Sequence, residues 1–379
     1  MSSEIILTNA RLVLRDCVTH GTVVLRGEVI AELSASRSHA ATAIDLDGDY
    51  LIPGVVDVHT DNLERQVQPR INARWPSRSA MLAHDAQCAA AGVTTVFDAL
   101  CLGDLGFDKD RIKTFHDGVA DLDVLSASGL LKSDHFLHLR CEMPSMDVLE
   151  LVDPVAEHPL VRMISLMDHS PGVGQYADLD RYRAIRRKDG HSDADIEIRI
   201  VELTEQRARL RGPNRRALLN RVAGLNIVLA SHDDETAAEI TENHADGIRI
   251  SEFPVTMLAA KAAKAAGMDV IMGAPNIVRG GSHSGNVSAA AMVREGAVDA
   301  FASDYVPAAL VEAAFQCVRE TGITLPDAIA MVSDNAARMA GLKDRGRIES
   351  GLRADLVRVR LLGDLPVVRQ VWRTGERVA

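Results

Sequence analysis

Histidines and carboxylates follow short apolar segments at five places in this sequence, and side chains of these types can bind divalent metal ions. The five motifs are His59-Thr60-Asp61, Cys141-Glu142, Asp168-His169, His232-Asp233-Asp234 and Ser303-Asp304. Imidazole and carboxylate are ligands that suit Zn²⁺ and similar ions. One such histidine alone would more often be a core residue, but the shared pattern favours a metal site because every buried charge needs a partner.

Each ligand in this pattern has an expected role. His59 and Asp61 are two positions apart on a strand and share one face, so they can chelate one ion together. Glu142 can bridge two ions, while His169 and His232 hold the second. Two ions about 3.5–4 Å apart would then activate a shared water as the nucleophile. We expect Zn²⁺ in both positions, although Mn²⁺, Fe²⁺ or Co²⁺ can occupy the same ligands.

A glycine-rich segment at residues 273–286, followed by an alanine-rich helix from about residue 287, predicts an anion-binding loop. Its backbone N–H groups and the helix dipole can act together on a phosphate, whereas a flexible turn is the alternative interpretation. The candidate substrate-binding residues of this loop are Asn276, Arg279, Gly281, Ser282, His283, Gly285 and Asn286. Further cations that could contribute lie near the ends of the first and third predicted barrel strands, namely Arg65, Arg70, Arg74 and Arg140.

The elements that must position these residues form a repeating pattern. Eight apolar, β-branched segments alternate with helical patterns between residues 53 and 347, which predicts an α/β fold with a (β/α)8 barrel. The segments begin near Val55, Thr94, Phe136, Val161, Ile227, Ile248, Val270 and Ala300. The clearest helical patterns cover residues 77–91, 258–266, 308–319 and 325–340. Barrel enzymes place their chemistry at the C-terminal ends of the strands. A doubly wound sheet is the competing architecture.

The two ends of the chain have a different pattern. Short strands separated by turns fill the first fifty residues, and another strand-rich segment follows residue 346. Neither end is large enough to be stable alone, so we expect residues 1–52 and 348–379 to pair into one small β-sandwich domain. The predicted barrel domain is then residues 53–347. Within it we expect His84 and His138 to be structural residues or supports of the metal ligands.

Composition excludes several classes of protein. The chain has 379 residues and a net charge of −11, which argues against a nucleic-acid or anionic-membrane partner. Its five cysteines form no CxxC pair, and no signal sequence or long apolar run is present, so we expect a cytoplasmic protein with reduced thiols. Residues 181–221 nevertheless contain twelve basic and six acidic side chains. This segment is interpreted either as a solvated helical face or as a lid over an anionic ligand.

These motifs resemble the amidohydrolase superfamily and, within it, the diphosphatases of the carbon–phosphorus lyase pathway. The resemblance is carried by residues 59–63, 69–70, 75–76, 138–142, 167–172, 231–234, 273–286, 303–305 and 351–357. It implies hydrolysis of α-D-ribose 1-methylphosphonate 5-triphosphate, and of related 1-alkylphosphonates, to the 5-phosphate and pyrophosphate. It also implies Asn62 as a substrate-binding residue. The first motif is His-x-Asp where most amidohydrolases have His-x-His, and Glu142 replaces a carboxylated lysine.

Our hypothesis for the mechanism is attack of an activated water on the α-phosphorus. Asp304 would bind a metal ion and accept the proton as the catalytic residue, and the glycine-rich loop with the arginines would stabilise the departing pyrophosphate. The expected partner is a small anionic sugar triphosphate; a homodimer is compatible with the sequence. The alternatives are a hydantoinase-, dihydroorotase- or deaminase-like enzyme, whose uncharged substrate would not need these arginines, and a non-catalytic assembly subunit of the same pathway.

Overall fold

The chain folds into a barrel and an adjoining mixed sheet. The computed structural model describes residues 4–70, 73–106, 109–282 and 285–379. The strands in these ranges are β1 (Glu4–Val13), β2 (Val18–Arg26), β3 (Val29–Ser34), β4 (Ile44–Asp45), β5 (Tyr50–Pro53), β6 (Val55–Thr60), β7 (Val93–Leu102), β8 (Asp134–Glu142), β9 (Val161–Met167), β10 (Val228–His232), β11 (Ile250–Glu252), β12 (Asp269–Gly273), β13 (Ala300–Ala302), β14 (Leu356–Leu362), β15 (Leu365–Arg373) and β16 (Glu376–Arg377).

The helices connect and cover these strands. They are α1 (Asn62–Val67), α2 (Ser77–Ala90), α3 (Lys109–Ser128), α4 (Val148–Val152), α5 (Leu179–Lys188), α6 (Asp193–Val222), α7 (Ala237–Ala245), α8 (Met257–Ala265), α9 (Ala274–Val278), α10 (Ala289–Arg294), α11 (Ala309–Thr321), α12 (Leu325–Ala330) and α13 (Asp334–Met339). A single 3-10 turn covers Gly174–Tyr176. Within the described ranges, no helix combines the length and the apolar character needed to cross a membrane.

Strands β6 to β13 form a parallel sheet in sequence order, which confirms the predicted barrel. The first and last strands meet where Thr60 bridges Asp304 and the N–H of Asp61 donates to the Asp304 carbonyl at 2.8 Å. All eight strands lie where the apolar segments predict them, within two residues at their starts. Strand β7 is buried along its whole length, as expected for a parallel strand covered by helices.

The two chain ends share one mixed sheet, as predicted for the small β domain. Strand β5 pairs in parallel with β1 and antiparallel with β14, so it joins the N-terminal and C-terminal strands. Leu12, Leu25, Leu51, Leu356 and Trp372 form its apolar core. The opposite face packs on the barrel, because Ile52, Val357 and Val371 belong to the cluster that includes α2 and α11. The exact domain boundaries stay a prediction.

The helix predicted over residues 325–340 is wrong in one respect, because two short helices, α12 and α13, replace it. The carbonyl of Met331 accepts from the N–H of Phe301 at 3.0 Å, and the carbonyl of Val332 accepts from Val56 at 3.0 Å. These two carbonyls therefore serve barrel strands instead of a helix. Periodicity alone cannot reveal such a break, since the apolar positions on either side keep their helical spacing.

The basic segment after β9 forms α5 and α6. Several α6 arginines bind acids of neighbouring elements: Arg207 donates to Asp168 at 2.6 Å and Arg215 to Asp246 at 2.7 Å. Arg211 makes a two-bond contact with Glu242 at 3.2 and 2.8 Å. Much of the positive charge of this segment is thus neutralised locally and attaches α6 to the barrel.

Candidate active site

The C-terminal ends of the barrel strands gather the predicted ligands at one edge of the sheet. His59 is the penultimate residue of β6, while Glu142 and His232 end β8 and β10. His169 and Asp304 each follow the end of a strand by two residues. The ring of His232 lies between those of His59 and His169, with centroid distances of 6.0 and 5.5 Å. The parallel barrel explains this convergence, because all its strands end on the same side.

His59, His232 and Glu252 form the first group that can hold a metal ion. Their ligand atoms lie within 4.8 Å of one another. Glu252 Oε1 is 2.8 Å from His59 Nδ1, and Glu252 Oε2 is 3.8 Å from His232 Nε2. Burial lowers the pKa of His59 well below its usual value, and the positive charge of Arg140 lowers it further. A neutral His59 that donates Nδ1–H to Glu252 leaves Nε2 as a metal ligand.

His169, His232 and Asp233 form the second group, within the same 4.8 Å limit. Asp233 Oδ2 lies 3.3 Å from His232 Nδ1 and 3.7 Å from His169 Nε2. Burial alone would raise the pKa of Asp233, but the two histidines hold it well below its usual range. Burial opposes protonation of His169, yet the carboxylates of Glu142 and Asp233 raise its pKa to about 9. His169 and the two carboxylates therefore stabilise one another's charged forms.

Both groups contain buried polar atoms that make no hydrogen bond. These atoms are His59 Nε2, His169 Nε2, His232 Nδ1, His232 Nε2, Asp233 Oδ2 and Glu252 Oε2. Each buried atom without a partner costs about 1–3 kcal/mol, so a concentration of six at one place calls for a ligand. Nitrogen and carboxylate oxygen atoms in this arrangement fit a divalent cation such as Zn²⁺. The residues therefore suit the metal that the sequence predicts.

Sequence reasoning missed Glu252 and did not assign Asp233 as a ligand. Glu252 is the last residue of β11, the position that Glu142 occupies in β8. The same signal, an acid at the end of an apolar segment, was therefore available for it. Asp233 adopts a left-handed backbone with φ 56°, and its N–H donates to the Glu252 carbonyl at 2.9 Å. That turn directs the Asp233 carboxylate back toward the histidines.

Glu142 and Asp61 lie beside these groups without belonging to either among the described residues. Both oxygens of Glu142 accept from His169, at 2.8 Å from its backbone N–H and 2.8 Å from Nδ1. Glu142 therefore orients His169. The carboxylate of Asp61 is 3.6 Å from Nη1 of Arg140. The bridging role of Glu142 and chelation by Asp61 stay predictions.

Asp304 stands at the seam where the barrel closes. Its N–H donates to the His59 carbonyl at 3.0 Å, and its backbone is left-handed with φ 58°. Burial, followed by the charge of Asp61, raises the pKa of Asp304 to about 8. An acid in this environment can exchange a proton near neutral pH. This position agrees with the role that the sequence predicts for Asp304, which stays a prediction.

A cavity of about 640 Å³ opens above the ligand groups. The predicted residues that line it are Asp61, Arg140, Glu142, His169, His232, Asn276, Arg279, Gly281, Ser282, Asn286 and Asp304. Two further arginines, Arg111 and Arg186, line it as well. Arg140 is buried, and its Nε and Nη1 groups make no hydrogen bond. A buried guanidinium with unpartnered donors beside metal ligands is suited to bind an anion such as a phosphoryl group.

Other predicted substrate residues lie outside the described cavity lining. Asn62 is buried and donates to Nδ1 of His84 and to Gln87, both at 2.9 Å. Arg65 donates to the carbonyl of Tyr305 at 2.9 Å, so it contacts a residue of the cavity lining without lining the cavity itself. Arg70 lies on an exposed loop, and Gly285 is an exposed glycine with φ 72°. His283 lies outside the described residues.

The glycine-rich loop differs from its predicted form in one detail. The short helix α9 begins immediately after β12, where a continuous loop is predicted. Asn276 braces the loop: its side chain donates to the Val287 carbonyl at 3.1 Å and accepts from the Ala289 N–H at 3.0 Å. Gly280 and Gly281 have φ values of 75° and 158°, where a side chain would be strained. The loop therefore presents backbone to the cavity.

His138 supports the metal ligands, and His84 belongs to a separate cluster. His138 contacts the Val58 carbonyl and Ser165 Oγ, both at 3.0 Å, and packs edge-on against His59 at 5.1 Å between ring centroids. Burial lowers the pKa of His138 to about 3. His84 lies 2.7 Å from Asp98, which lies 2.8 Å from His135. Both are thus structural or supporting, as predicted.

A barrel of eight parallel strands with histidine and carboxylate ligands at their C-terminal ends is the architecture of the amidohydrolases. The chain matches the amidohydrolase family over residues 190–378. It shares the fold of the N-acetyl-D-glucosamine-6-phosphate deacetylase of Mycobacterium smegmatis, with a TM-score of 0.66 at 16% identity and 99% coverage of each chain.

Sequence comparison identifies a narrower family within the amidohydrolases. The chain is 40% identical over 376 residues to the alpha-D-ribose 1-methylphosphonate 5-triphosphate diphosphatase of Escherichia coli (strain K12), covering 98% of this chain and 100% of that protein. A shorter similarity, 30% over 98 residues, covers 25% of this chain and 20% of the L-hydantoinase of Paenarthrobacter aurescens. The chain therefore belongs to the family of alpha-D-ribose 1-methylphosphonate 5-triphosphate diphosphatases within the amidohydrolases.

Proposed function

We propose that this chain hydrolyses α-D-ribose 1-methylphosphonate 5-triphosphate, and related 1-alkylphosphonates, to the 5-phosphate and pyrophosphate. The full-length similarity to the E. coli diphosphatase supports this substrate. The observation that carries the proposal is the combination, in one cavity, of unpartnered metal ligands with Arg111, Arg140, Arg186 and Arg279. A polyphosphate needs such cations, whereas an uncharged cyclic amide would gain little from them.

In this proposal, His59, His232 and Glu252 would hold one divalent ion, and His169 with Asp233 would hold a second. A bound divalent ion lowers the pKa of water toward neutrality and polarises a phosphoryl oxygen. Zn²⁺ is the expected metal, and His232, which belongs to both groups, would supply a ring nitrogen to one of the two ions. Glu142 fixes the orientation of His169 through two hydrogen bonds.

The protein groups around this centre carry the remaining steps. Asp304, at the seam beside His59, accepts the proton of the attacking water and orients its attack on the α-phosphorus. Arg140, close to Asp61, binds an oxygen of the same phosphoryl group. Pyrophosphate leaves in line toward the glycine-rich loop, where Arg279 and Ser282 take up its charge.

The alternatives have less support. Similarity to the L-hydantoinase covers only a quarter of this chain, and the four cavity arginines have no role with an uncharged ring. A non-catalytic assembly role leaves the six unpartnered ligand atoms without explanation. A cytoplasmic location and a homodimer remain predictions.

Product analysis in ¹⁸O-labelled water tests the proposal. The metal-loaded chain is incubated with the 5-triphosphate substrate, and phosphorus NMR follows both products. We expect pyrophosphate release with ¹⁸O in the sugar 5-phosphate, because attack on the α-phosphorus places the label there. Label in pyrophosphate would refute that point of attack. Hydrolysis of hydantoin or dihydroorotate without pyrophosphate release would favour the amide alternative.

A further inference from the structure

The helix α5, inserted after β9, contributes one cation to the cavity. Among the described lining residues, Arg186 is the only basic side chain that comes from residues 181–221. It lies in the last turn of α5, whereas Arg183 of the same helix points to Glu197 at 2.6 Å and does not line the cavity. Arg186 is thus the side chain of this segment that could serve the lid interpretation, whereas Arg183 pairs with an acid away from the cavity.

Arg186 is held in place by its surroundings. Its guanidinium lies over the rings of Tyr182 and Tyr176, at 5.1 and 5.6 Å from their centroids, and its Nη1 donates to Asp189 at 3.1 Å. Its side chain is only 13% exposed. The ring of Tyr176 also contacts His169 at 6.0 Å between centroids. One aromatic ring thus separates this arginine from a metal ligand, which suits a contact with substrate bound at the metal centre.

Apolar side chains line this cavity as well. Leu105 is buried on the β7–α3 loop, and Arg199 of α6 binds its carbonyl. Gly106 follows with φ 86°, a left-handed backbone that favours glycine, and the guanidinium of Arg199 lies against it. Tyr176, whose ring packs against Tyr182 and Arg186, lines the same cavity. Leu105 and Tyr176 therefore give apolar surface to the cavity that Arg186 lines, and we call these three residues the α5 corner.

The charge of this corner suits a monoanion. Asp189 neutralises part of the charge of Arg186, so the pair is poorly suited to a pyrophosphate group with several charges. The glycine-rich loop with Arg279 follows β12, separated from β9 by two intervening strands. The substrate of the proposed reaction has two anionic ends that must reach different parts of the cavity. An alkylphosphonate ester has one negative charge and one alkyl group.

We propose that Arg186, Tyr176 and Leu105 form the subsite for the 1-alkylphosphonate group, with the arginine binding its oxygens and the other two residues packing on its alkyl chain. This inference rests on the proposed function. It makes Arg186 a specificity-determining residue: it distinguishes a ribose that carries a phosphonate from one that does not. The five N–H groups of a guanidinium allow it to bind an acid and a substrate anion at once.

Two substrates and two variants test the subsite. Pyrophosphate release by the metal-loaded full chain is measured with ribose 1-methylphosphonate 5-triphosphate and with methyl riboside 5-triphosphate, which lacks the phosphonate. Arg186→Ala should lower kcat/KM by about 10- to 100-fold on the first substrate, mainly through KM, and by no more than about two-fold on the second. The matched control Arg183→Ala, on the same helix, should change neither value by more than about two-fold.

The other outcomes distinguish a failure of the subsite proposal from a failure of the proposed function. An equal loss on both substrates would overturn the inference, because Arg186 would then serve the triphosphate or the fold; no loss on either would overturn it as well. If Arg186→Ala does not fold, Arg186→Gln, which keeps most of the side-chain volume, is subject to the same comparison. Failure of the unaltered protein to release pyrophosphate from either triphosphate would instead overturn the proposed function.

Discussion

Among the described residues of the barrel, an outer and a deeper cluster of histidine and carboxylate could each hold a metal ion, but they differ in how their ligand atoms are satisfied. In the outer cluster, at the strand ends, the ligand atoms of His59, His232 and Glu252 lie within 4.8 Å of one another. In the deeper cluster, those of His84, Asp98 and His135 lie within the same distance. In the first cluster several ligand atoms have no hydrogen bond. In the second, Asp98 accepts from both histidines, at 2.7 and 2.8 Å.

The difference shows that residue types and spacing do not by themselves make a metal centre. In the deeper cluster, Asp98 and Asp85 both accept hydrogen bonds from His135, and Asn62 donates one to His84. Hydrogen bonds within the protein therefore satisfy this cluster. Burial opposes it, but the charges of Asp98 raise the pKa of His135 to about 9, which keeps this histidine protonated. The deeper cluster therefore stabilises the fold, whereas the outer one presents ligand atoms that suit a metal ion.

The largest expected effect comes from His232→Ala. His232 belongs to both ligand groups, so its loss should remove bound metal and lower pyrophosphate release at least about 1,000-fold. His84→Ala is the matched control: folded protein should keep its metal, although its stability should fall. Metal analysis of both purified variants alongside activity checks this, and metal loss in the His84 variant alone would reverse the comparison.

Asp304→Asn should have the next largest effect. Removal of the proton acceptor should lower turnover by about 100- to 1,000-fold, while substrate binding measured by calorimetry stays within a few-fold. The amide keeps the size of the side chain, so the seam at Thr60 should remain closed. Unchanged turnover would remove Asp304 from the mechanism.

Glu142→Gln should have a smaller effect, because Glu142 contacts His169 and orients it. We expect metal affinity to fall about 10- to 100-fold with the metal stoichiometry preserved. Glu252→Gln, at the end of the sixth barrel strand, should instead lower the stoichiometry. The opposite pattern would assign the bridging role to Glu142, as the sequence predicts, and metal titration monitored by calorimetry distinguishes the two.

The smallest expected effect is on stability and concerns the deeper cluster. The folded pKa of His135, about 9, is above its unfolded value, so its stabilisation is complete below about pH 6.5 and is lost as pH rises through 9. For metal-free protein, the free energy of unfolding should fall on the order of 2 kcal/mol between pH 7 and 9. Urea titrations at both pH values should show less of this fall in His135→Asn. An equal fall in the variant would assign the pH dependence to other groups.

Much of the fold could be predicted because its signals are local and repeated. Eight apolar segments, each ending near a polar motif, predicted the barrel, and the strands begin within two residues of those positions. The break between α12 and α13 could not be predicted, since it depends on carbonyls of Met331 and Val332 that serve distant strands. Such tertiary hydrogen bonds leave no periodic trace in the sequence.

The residue types of the candidate site could be predicted better than the contacts between its side chains. The sequence indicated which strand ends carry ligands, yet the partners of each side chain depend on backbone turns such as the left-handed Asp233. Asn62 follows a metal motif, but the first turn of α1 directs its amide to His84 and Gln87. The position of Arg186 at the cavity could not be predicted from the sequence. The twelve basic residues of residues 181–221 do not reveal which one faces the cavity.

In our proposal, ligand atoms without a hydrogen bond, and not satisfied ones, mark the metal centre. Anomalous scattering from crystals of zinc-loaded protein tests it most directly, since it locates each ion independently of activity. We predict peaks at the strand ends, beside His59, His232 and Glu252 and beside His169 and Asp233, with no peak among His84, Asp98 and His135. A zinc peak in the deeper cluster, or none at the strand ends, would contradict the account.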